Sequence, residues 1–232
     1  KLGCSVAGIG DLNRDGTPDI ASGSCVRNGF TGAFHVIFLG PSGAMLSATE
    51  HLPTGPSAAL GTAVASSLCG HSIIALGDVD GDGNVDVSVG CPFVLSTAAG
   101  WFHTVALLPD GTHAASRRTD DPVDDLVAHF GQSMAFVGDV NMDGLVEIAV
   151  GSPLSATPHA SAGRIHLMSI ARDLSASSFA VLTAKDLSHG GVPGDVLGLS
   201  MGTLGDANGD GVPDLLVALH PTAGPVGSVV AL

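Results

Sequence analysis

The sequence predicts an all-β repeat fold, and three observations carry the prediction. Gly 33 and Pro 13 among 232 residues imply many turns and short elements rather than long helices. The apolar residues fall in short runs such as Phe34–Leu39, Ile73–Leu76 and Leu215–Leu219. A nine-residue acidic stretch recurs four times with starts 67, 61 and 67 residues apart, the signature of a repeat architecture.

The four copies are Asp11-Leu-Asn13-Arg-Asp15-Gly16-Thr17-Pro-Asp19, Asp78-Val-Asp80-Gly-Asp82-Gly83-Asn84-Val-Asp86, Asp139-Val-Asn141-Met-Asp143-Gly144-Leu145-Val-Glu147 and Asp206-Ala-Asn208-Gly-Asp210-Gly211-Val212-Pro-Asp214. Before each comes a short glycine-containing strand: Leu2-Gly3-Cys-Ser-Val6-Ala7, Leu60-Gly61-Thr-Ala-Val64-Ala65, Phe130-Gly131-Gln-Ser-Met134-Ala135 and Leu197-Gly198-Leu-Ser-Met201-Gly202. The glycine lies eight residues before the first Asp in copies one, three and four, and 17 before it in copy two. An insertion around Leu68–Ile74 is the expected reason.

An apolar strand follows each acidic stretch: Ile20–Gly23, Val87–Gly90, Ile148–Gly151 and Leu215–Ala218. A Pro/Ser/Ala-rich loop then leads to a third strand opening on Gly32, Gly100, Gly163 or Gly227. Turn signals such as Gly40-Pro41-Ser42-Gly43 and Pro109-Asp110-Gly111 introduce a fourth, more polar strand. Four antiparallel strands in roughly 60 residues are the content of one β-propeller blade. The chain therefore reads as one domain, 1–232, with repeats at about 1–59, 60–129, 130–196 and 197–232. Copy four ends on its third strand, so its blade is incomplete or the chain is a segment of a larger propeller. A start at Lys1 rather than Met likewise reads as a mature or excised segment.

The acidic stretches choose their ligand by chemistry. Like charges ~4 Å apart repel by about 1 kcal/mol in water and about 4 at a protein surface, so such clusters fold best around a cation. The donors are hard oxygens, which suit calcium better than zinc or copper. Positions 1, 3, 5 and 9 offer side-chain oxygen: Asp11, Asn13, Asp15 and Asp19; Asp78, Asp80, Asp82 and Asp86; Asp139, Asn141, Asp143 and Glu147; Asp206, Asn208, Asp210 and Asp214. Position 7 would give a backbone carbonyl, from Thr17, Asn84, Leu145 or Val212, and Gly at position 6 allows the sharp turn. An EF-hand would need Glu at position 12 between helices; Ser22, Val89, Val150 and Val217 stand there, inside apolar β-type runs. The alternative of ordinary Asp/Asn/Gly turns has to account for four copies in register. By charge count copy two should bind most tightly, and Glu147 makes copy three the odd one.

This order of residues, Phe/Leu-Gly-x-Ser/Ala-Val/Met-Ala, then Gly-Asp-x-Asn/Asp-x-Asp-Gly-x-x-Asp, then an apolar strand and Gly-x-Pro, resembles the FG-GAP repeat of integrin α subunits and related secreted or surface proteins. The resemblance spans nearly the whole chain. It implies a propeller with up to four Ca²⁺ in hairpin loops between the first two strands of each blade. It also implies an extracellular or cell-surface recognition or adhesion role, non-enzymatic, toward a protein or glycan partner. An integrin α head has seven blades where this chain has four repeats, and no Arg-Gly-Asp sequence occurs. The other readings are an accessory propeller of a secreted enzyme and a self-associating structural subunit of an extracellular assembly.

Cys4 and Cys25 bracket loop one, and Cys69 and Cys91 bracket loop two, so the expected disulfides are Cys4–Cys25 and Cys69–Cys91, against four buried free thiols. Each would close about 22 residues and contribute roughly 3 kcal/mol, in an oxidising compartment. A formal charge of −14 with eight Lys and Arg argues against nucleic acid, whose phosphates demand a basic face. No apolar run approaches the ~20 residues of a membrane helix. His35, His103 and His166 share one repeat position, read as packing rather than a metal ring, since copy four has Val230 there. Gly198-Leu-Ser200-Met-Gly202 matches the nucleophile-elbow pattern but lies in a first strand without the strand–turn–helix the elbow needs. Leu52-Pro-Thr-Gly55 resembles a sorting signal in the wrong place. Asp120, Asp121, Asp124 and Asp125 read as a solvated loop, with an extra cation site as the alternative.

Overall fold

The computed structural model describes residues 2–52, 60, 66–92, 99–123, 125–156, 161–187, 194–219 and 228–231. Four antiparallel sheets follow one another along the chain, each strand pairing with the next in sequence. The first holds β1 (Val6–Gly10), β2 (Asp19–Gly23), β3 (Phe34–Leu39) and β4 (Met45–His51), with a single-turn helix α1 (Arg27–Phe30) between β2 and β3. The second holds β5 (Ser72–Gly77), β6 (Asp86–Cys91), β7 (Trp101–Leu107) and β8 (His113–Asp120). The third holds β9 (Met134–Gly138), β10 (Val146–Ser152), β11 (Arg164–Ile170) and β12 (Ala176–Thr183). The fourth has three strands, β13 (Met201–Gly205), β14 (Asp214–Leu219) and β15 (Ser228–Ala231). Among the described residues these sheets form four β-propeller blades, three of four strands and one of three, as the repeat pattern predicts.

The blades pack face to face. First strands of successive blades lie against each other, β1 on β5, β5 on β9 and β9 on β13. Second strands such as β6, buried at every residue, are covered on both faces. Fourth strands are the outer edge: β8 reads His-Ala-Ala-Ser-Arg-Arg-Thr-Asp and is mostly exposed, its charges discouraging edge-to-edge pairing. The core is divided among the spaces between blades. Trp101 packs with Phe34, Val36 and Val89 toward blade one, while its neighbour Phe102 packs with Phe130, Ile148 and Val150 toward blade three. That is the two-residue period of a strand with apolar matter on both sides.

A repeated junction locks each blade to the next. Ser5 Oγ donates to the Gly70 carbonyl at 2.9 Å, Ser72 Oγ to Gly131 at 2.8 Å and Ser133 Oγ to Gly198 at 2.7 Å. Each of these carbonyls sits over a glycine at or next to the end of the preceding blade's second strand. A methyl on Gly23, Gly90 or Gly151 would lie 1.8, 2.2 or 2.1 Å from it. Copy four carries Ala218 at the corresponding place, where its amide donates to the Ser200 carbonyl at 3.0 Å just as Gly151 donates to Ser133 at 2.9 Å. Gly90→Ala is therefore expected to lose about 1–3 kcal/mol through this backbone collision, whereas Ala218→Gly should change stability by less than about 1 kcal/mol. Urea denaturation of the two variants checks the pair, and equal losses would be the wrong result.

The junction also corrects the reading of copy two. Its first strand is β5, preceded by Cys69-Gly70-His71. Cys69 makes the isolated bridge to Gly32 that Phe130 makes to Gly100 and Leu197 to Gly163. Gly70 lies eight residues before Asp78, the interval of the other copies. The expected strand over Leu60–Ala65 is not the blade's first strand; of it only Leu60, fully buried, lies within the described residues. Both expected disulfides are present, Cys4–Cys25 and Cys69–Cys91, and no described cysteine is free.

Candidate metal centre

Each acidic stretch forms the hairpin loop between the first and second strands of a blade. The glycine just before it (Gly10, Gly77, Gly138, Gly205) is left-handed, with φ between 68° and 78°, and sits at a shift in strand register. The extra residue of such a bulge turns the chain out of the ladder, and glycine takes that conformation without steric cost.

Inside the loop the acidic residues serve first as acceptors for the turn. The position-1 carboxylate of copy one accepts from the amides of Asp15 and Gly16, and that of copy two from Gly81 and Gly83. Asp139 and Asp206 do the same in copies three and four. Position 5 accepts from the position-7 amide in every copy: Thr17, Asn84, Leu145 and Val212 donate to Asp15, Asp82, Asp143 and Asp210 at 2.8–2.9 Å. These bonds hold each carboxylate by some of its lone pairs and gather the group to one side of the turn.

Position 9 lies at the start of the second strand, first in copies one, two and four and second in copy three, and is buried, with Asp19, Asp86 and Glu147 fully so. One of its oxygens accepts from the position-2 amide in all four loops, Leu12, Val79, Val140 and Ala207. The longer arm of Glu147 reaches its amide at 2.8 Å, the same distance as Asp86. The other oxygen differs. In Asp19 it accepts from Leu39 N and in Asp214 from Asn208 Nδ2. In Asp86 and Glu147 it is buried with no hydrogen-bond partner. Burial pushes the Asp86 carboxyl up to about 6, with Asp80 and Asp82 adding repulsion against the amides of Val79 and Asp80.

These acidic groups could hold a metal ion. Carboxylate oxygens of Asp78, Asp80 and Asp82 lie within 4.8 Å of one another, as do those of Asp139, Asp143 and Glu147. A partnerless buried oxygen on Asp86 and another on Glu147 fit the same demand, because a buried acceptor without a partner is costly. The donors are all oxygen, which matches a hard divalent cation.

One other acidic group takes a different role from the expected one. Asp121 and Asp125 do not form a solvated loop. Both turn onto the buried Arg164 of blade three, with oxygens 3.3 and 3.5 Å from its Nη2. Asp125 also accepts from Ser155 Oγ and Ala156 N, each at 3.0 Å. Asp120 pairs with Arg118, and Asp124 lies outside the described residues. The repeated histidines lie in three separate third strands. His35 approaches Glu50 at 3.4 Å and His166 approaches Asp121 at 3.8 Å. Burial holds His103 and His166 neutral, down at about 4.

Blades that carry an acidic hairpin between their first two strands define a class of propeller repeat. The FG-GAP repeat family matches residues 130–168, which run from the junction of blade three through its acidic loop into β11. Integrin alpha pat-2 of Caenorhabditis elegans is 24% identical over 230 residues, covering 93% of this chain and 18% of that protein. Integrin alpha-3 of Cricetulus griseus is 30% identical over 156 residues, covering 63% of this chain and 14% of its own length. Among solved structures, the exotype rhamnogalacturonan lyase YesX aligns with a TM-score of 0.48 at 11% identity, over 90% of this chain and 38% of that one. Residues 130–168 match the FG-GAP repeat and the chain is similar to integrin α chains, of whose length it spans less than a fifth in the relatives named here.

Proposed function

We propose that the chain is a calcium-stabilised extracellular recognition or adhesion module without catalytic activity. The observation that carries this reading is the fourfold recurrence of one hydrogen-bonded loop geometry with a buried position-9 carboxylate, and carboxylate oxygens gathered within 4.8 Å of one another in loops two and three. In each loop the ligands would be the side chains at positions 1, 3, 5 and 9 and the carbonyl of Thr17, Asn84, Leu145 or Val212. The ion supplies charge neutralisation and joins the two ends of the hairpin; it takes no part in any reaction. Disulfides at the opposite end of blades one and two fit an oxidising, extracellular setting. Kinship with integrin α chains supports a protein ligand, with a glycan as the other class, met by loops between strands at the end away from the metal loops.

Two measurements test this reading. Calorimetric titration of the ion-free chain should show up to four calcium sites. The loaded chain should bind at least one member of an array of extracellular-matrix proteins and glycans, and lose it in chelator. Absence of calcium binding would overturn the metal reading, and binding to none of the array would overturn the recognition reading.

A further inference from the structure

The second loop is the most acidic, with four carboxylates in nine residues, and two of the chain's eight Lys and Arg residues reach it from outside its own blade. Arg14 stands at position 4 of loop one, in the left-handed region at φ 62°. Glycine takes that position in loops two and four, at φ 87° and 82°. An arginine held there carries a conformational cost that glycine would not. Its side chain leaves its own loop: Nη2 donates to Gly83 O and to Asn84 Oδ1, both at 3.3 Å. From the other side comes Arg172, in the turn between β11 and β12 of blade three. Its Nη1 lies 3.3 Å from where a methyl on Gly81 would stand.

Neither guanidinium takes the place of a cation. Arg14 binds a carbonyl at position 6 and a side-chain amide at position 7, and Arg172 lies over position 4. The carboxylates of Asp78, Asp80 and Asp82 remain gathered within 4.8 Å on one another. The two arginines therefore act on the loop through charge and through its backbone, leaving the ligand set intact.

We propose that Arg14 and Arg172 are resident counter-cations of loop two: they stabilise it when empty and weaken its hold on a divalent ion. The proposal rests on the calcium reading of the loops. Its physics is a difference in Coulomb energy. Without the ion, each guanidinium faces a loop of formal charge −4 and attracts it. With a doubly charged ion in place, half of that charge is cancelled and the attraction falls with it. Charges of +1 and +2 about 6 Å apart in a water-like dielectric repel enough to lower affinity roughly three- to tenfold per arginine. Loop two thus becomes the exchangeable site, the reverse of the order that counting carboxylates gives. The neighbouring blades supply the charge that makes it so.

The test is the pair Arg14→Gln and Arg172→Gln, alone and together, with Arg14→Lys as the charge-retaining control. Calcium titration and thermal melting are run on ion-free and loaded protein. The double variant should melt lower than wild type when ion-free. One of its calcium sites should tighten by about ten- to a hundredfold, and its calcium-induced rise in Tm should be larger than that of wild type. Added salt should shrink all three differences, and Asp78→Asn in the same background should abolish the tightened site. A purely structural role would lower both melting points together and leave affinity unchanged; that outcome overturns the proposal, as does a weakened site. If wild type binds no calcium at all, the loop reading fails first, and this proposal falls with it for a separately visible reason.

Discussion

Excess EDTA is expected to lower the thermal midpoint of this chain by roughly 10 °C or more. The loops contain thirteen of its 22 carboxylates, and filling all four with calcium would take the formal charge from −14 to −6. A ligand that binds only the folded state at a hundred times its Kd stabilises by about 2.7 kcal/mol, so four loops together approach about 10 kcal/mol. For a chain of this size each kcal/mol moves Tm by roughly 2–4 °C. The ion-free state has to keep Asp86 and Glu147 buried with an unpartnered oxygen each, and to hold three carboxylates of loop two within 4.8 Å. Calcium should restore the midpoint. Magnesium should restore less, because its smaller octahedral shell sheds water reluctantly. Coincident melting curves with and without chelator would remove the metal from the account.

The blades were legible in the sequence because each repeat states its strands locally: a left-handed glycine before the loop, oxygen donors at odd positions, an apolar strand buried on both faces. The disulfides were legible for the same reason, since each pair brackets one hairpin. Copy two was misplaced because Leu60-Gly61-Thr-Ala-Val64-Ala65 matches the expected strand better than Cys69-Gly70-His71-Ser72 does. The fold accepts cysteine at that place since Cys69, fully buried and bonded to Cys91, fills the site occupied elsewhere by Phe130 or Leu197. The contacts between blades were not legible. Arg14 meets a loop about 70 residues away, and Arg164 meets Asp121 from 43 residues away. Asp121 and Asp125 look solvated in the sequence until the blade beside them supplies Arg164.

Arg164→Met is expected to cost about 3–5 kcal/mol, the usual penalty for breaking a buried ion pair by removing one partner. Arg164 and Asp121 are buried and Asp125 is nearly so, with side-chain exposures of 3%, 0% and 13%. Methionine keeps much of the volume, so the loss measures the two carboxylates left without a cation rather than a cavity. Burial already raises the Asp121 carboxyl above its ordinary value, while the Val123 amide and then Arg164 pull it back. Without Arg164 it rises further, and the folded state binds a proton more readily than the unfolded chain. The variant should therefore gain stability as pH falls from neutrality toward the unfolded aspartate value near 4, and lose it as pH rises. His166 acts in the opposite direction. Burial first, and then Arg164, holds it down at about 4. Burial remains when the arginine is gone, so the unfolded histidine still takes up a proton first as pH falls, which offsets part of the Asp121 gain. Adding Asp121→Asn to Arg164→Met removes one of the stranded charges and should recover a large part of the loss at pH 7. Urea denaturation between pH 5 and 8 distinguishes the cases. A loss below about 1 kcal/mol for Arg164→Met, or one independent of pH, would mean that this cluster contributes no more than a surface ion pair does.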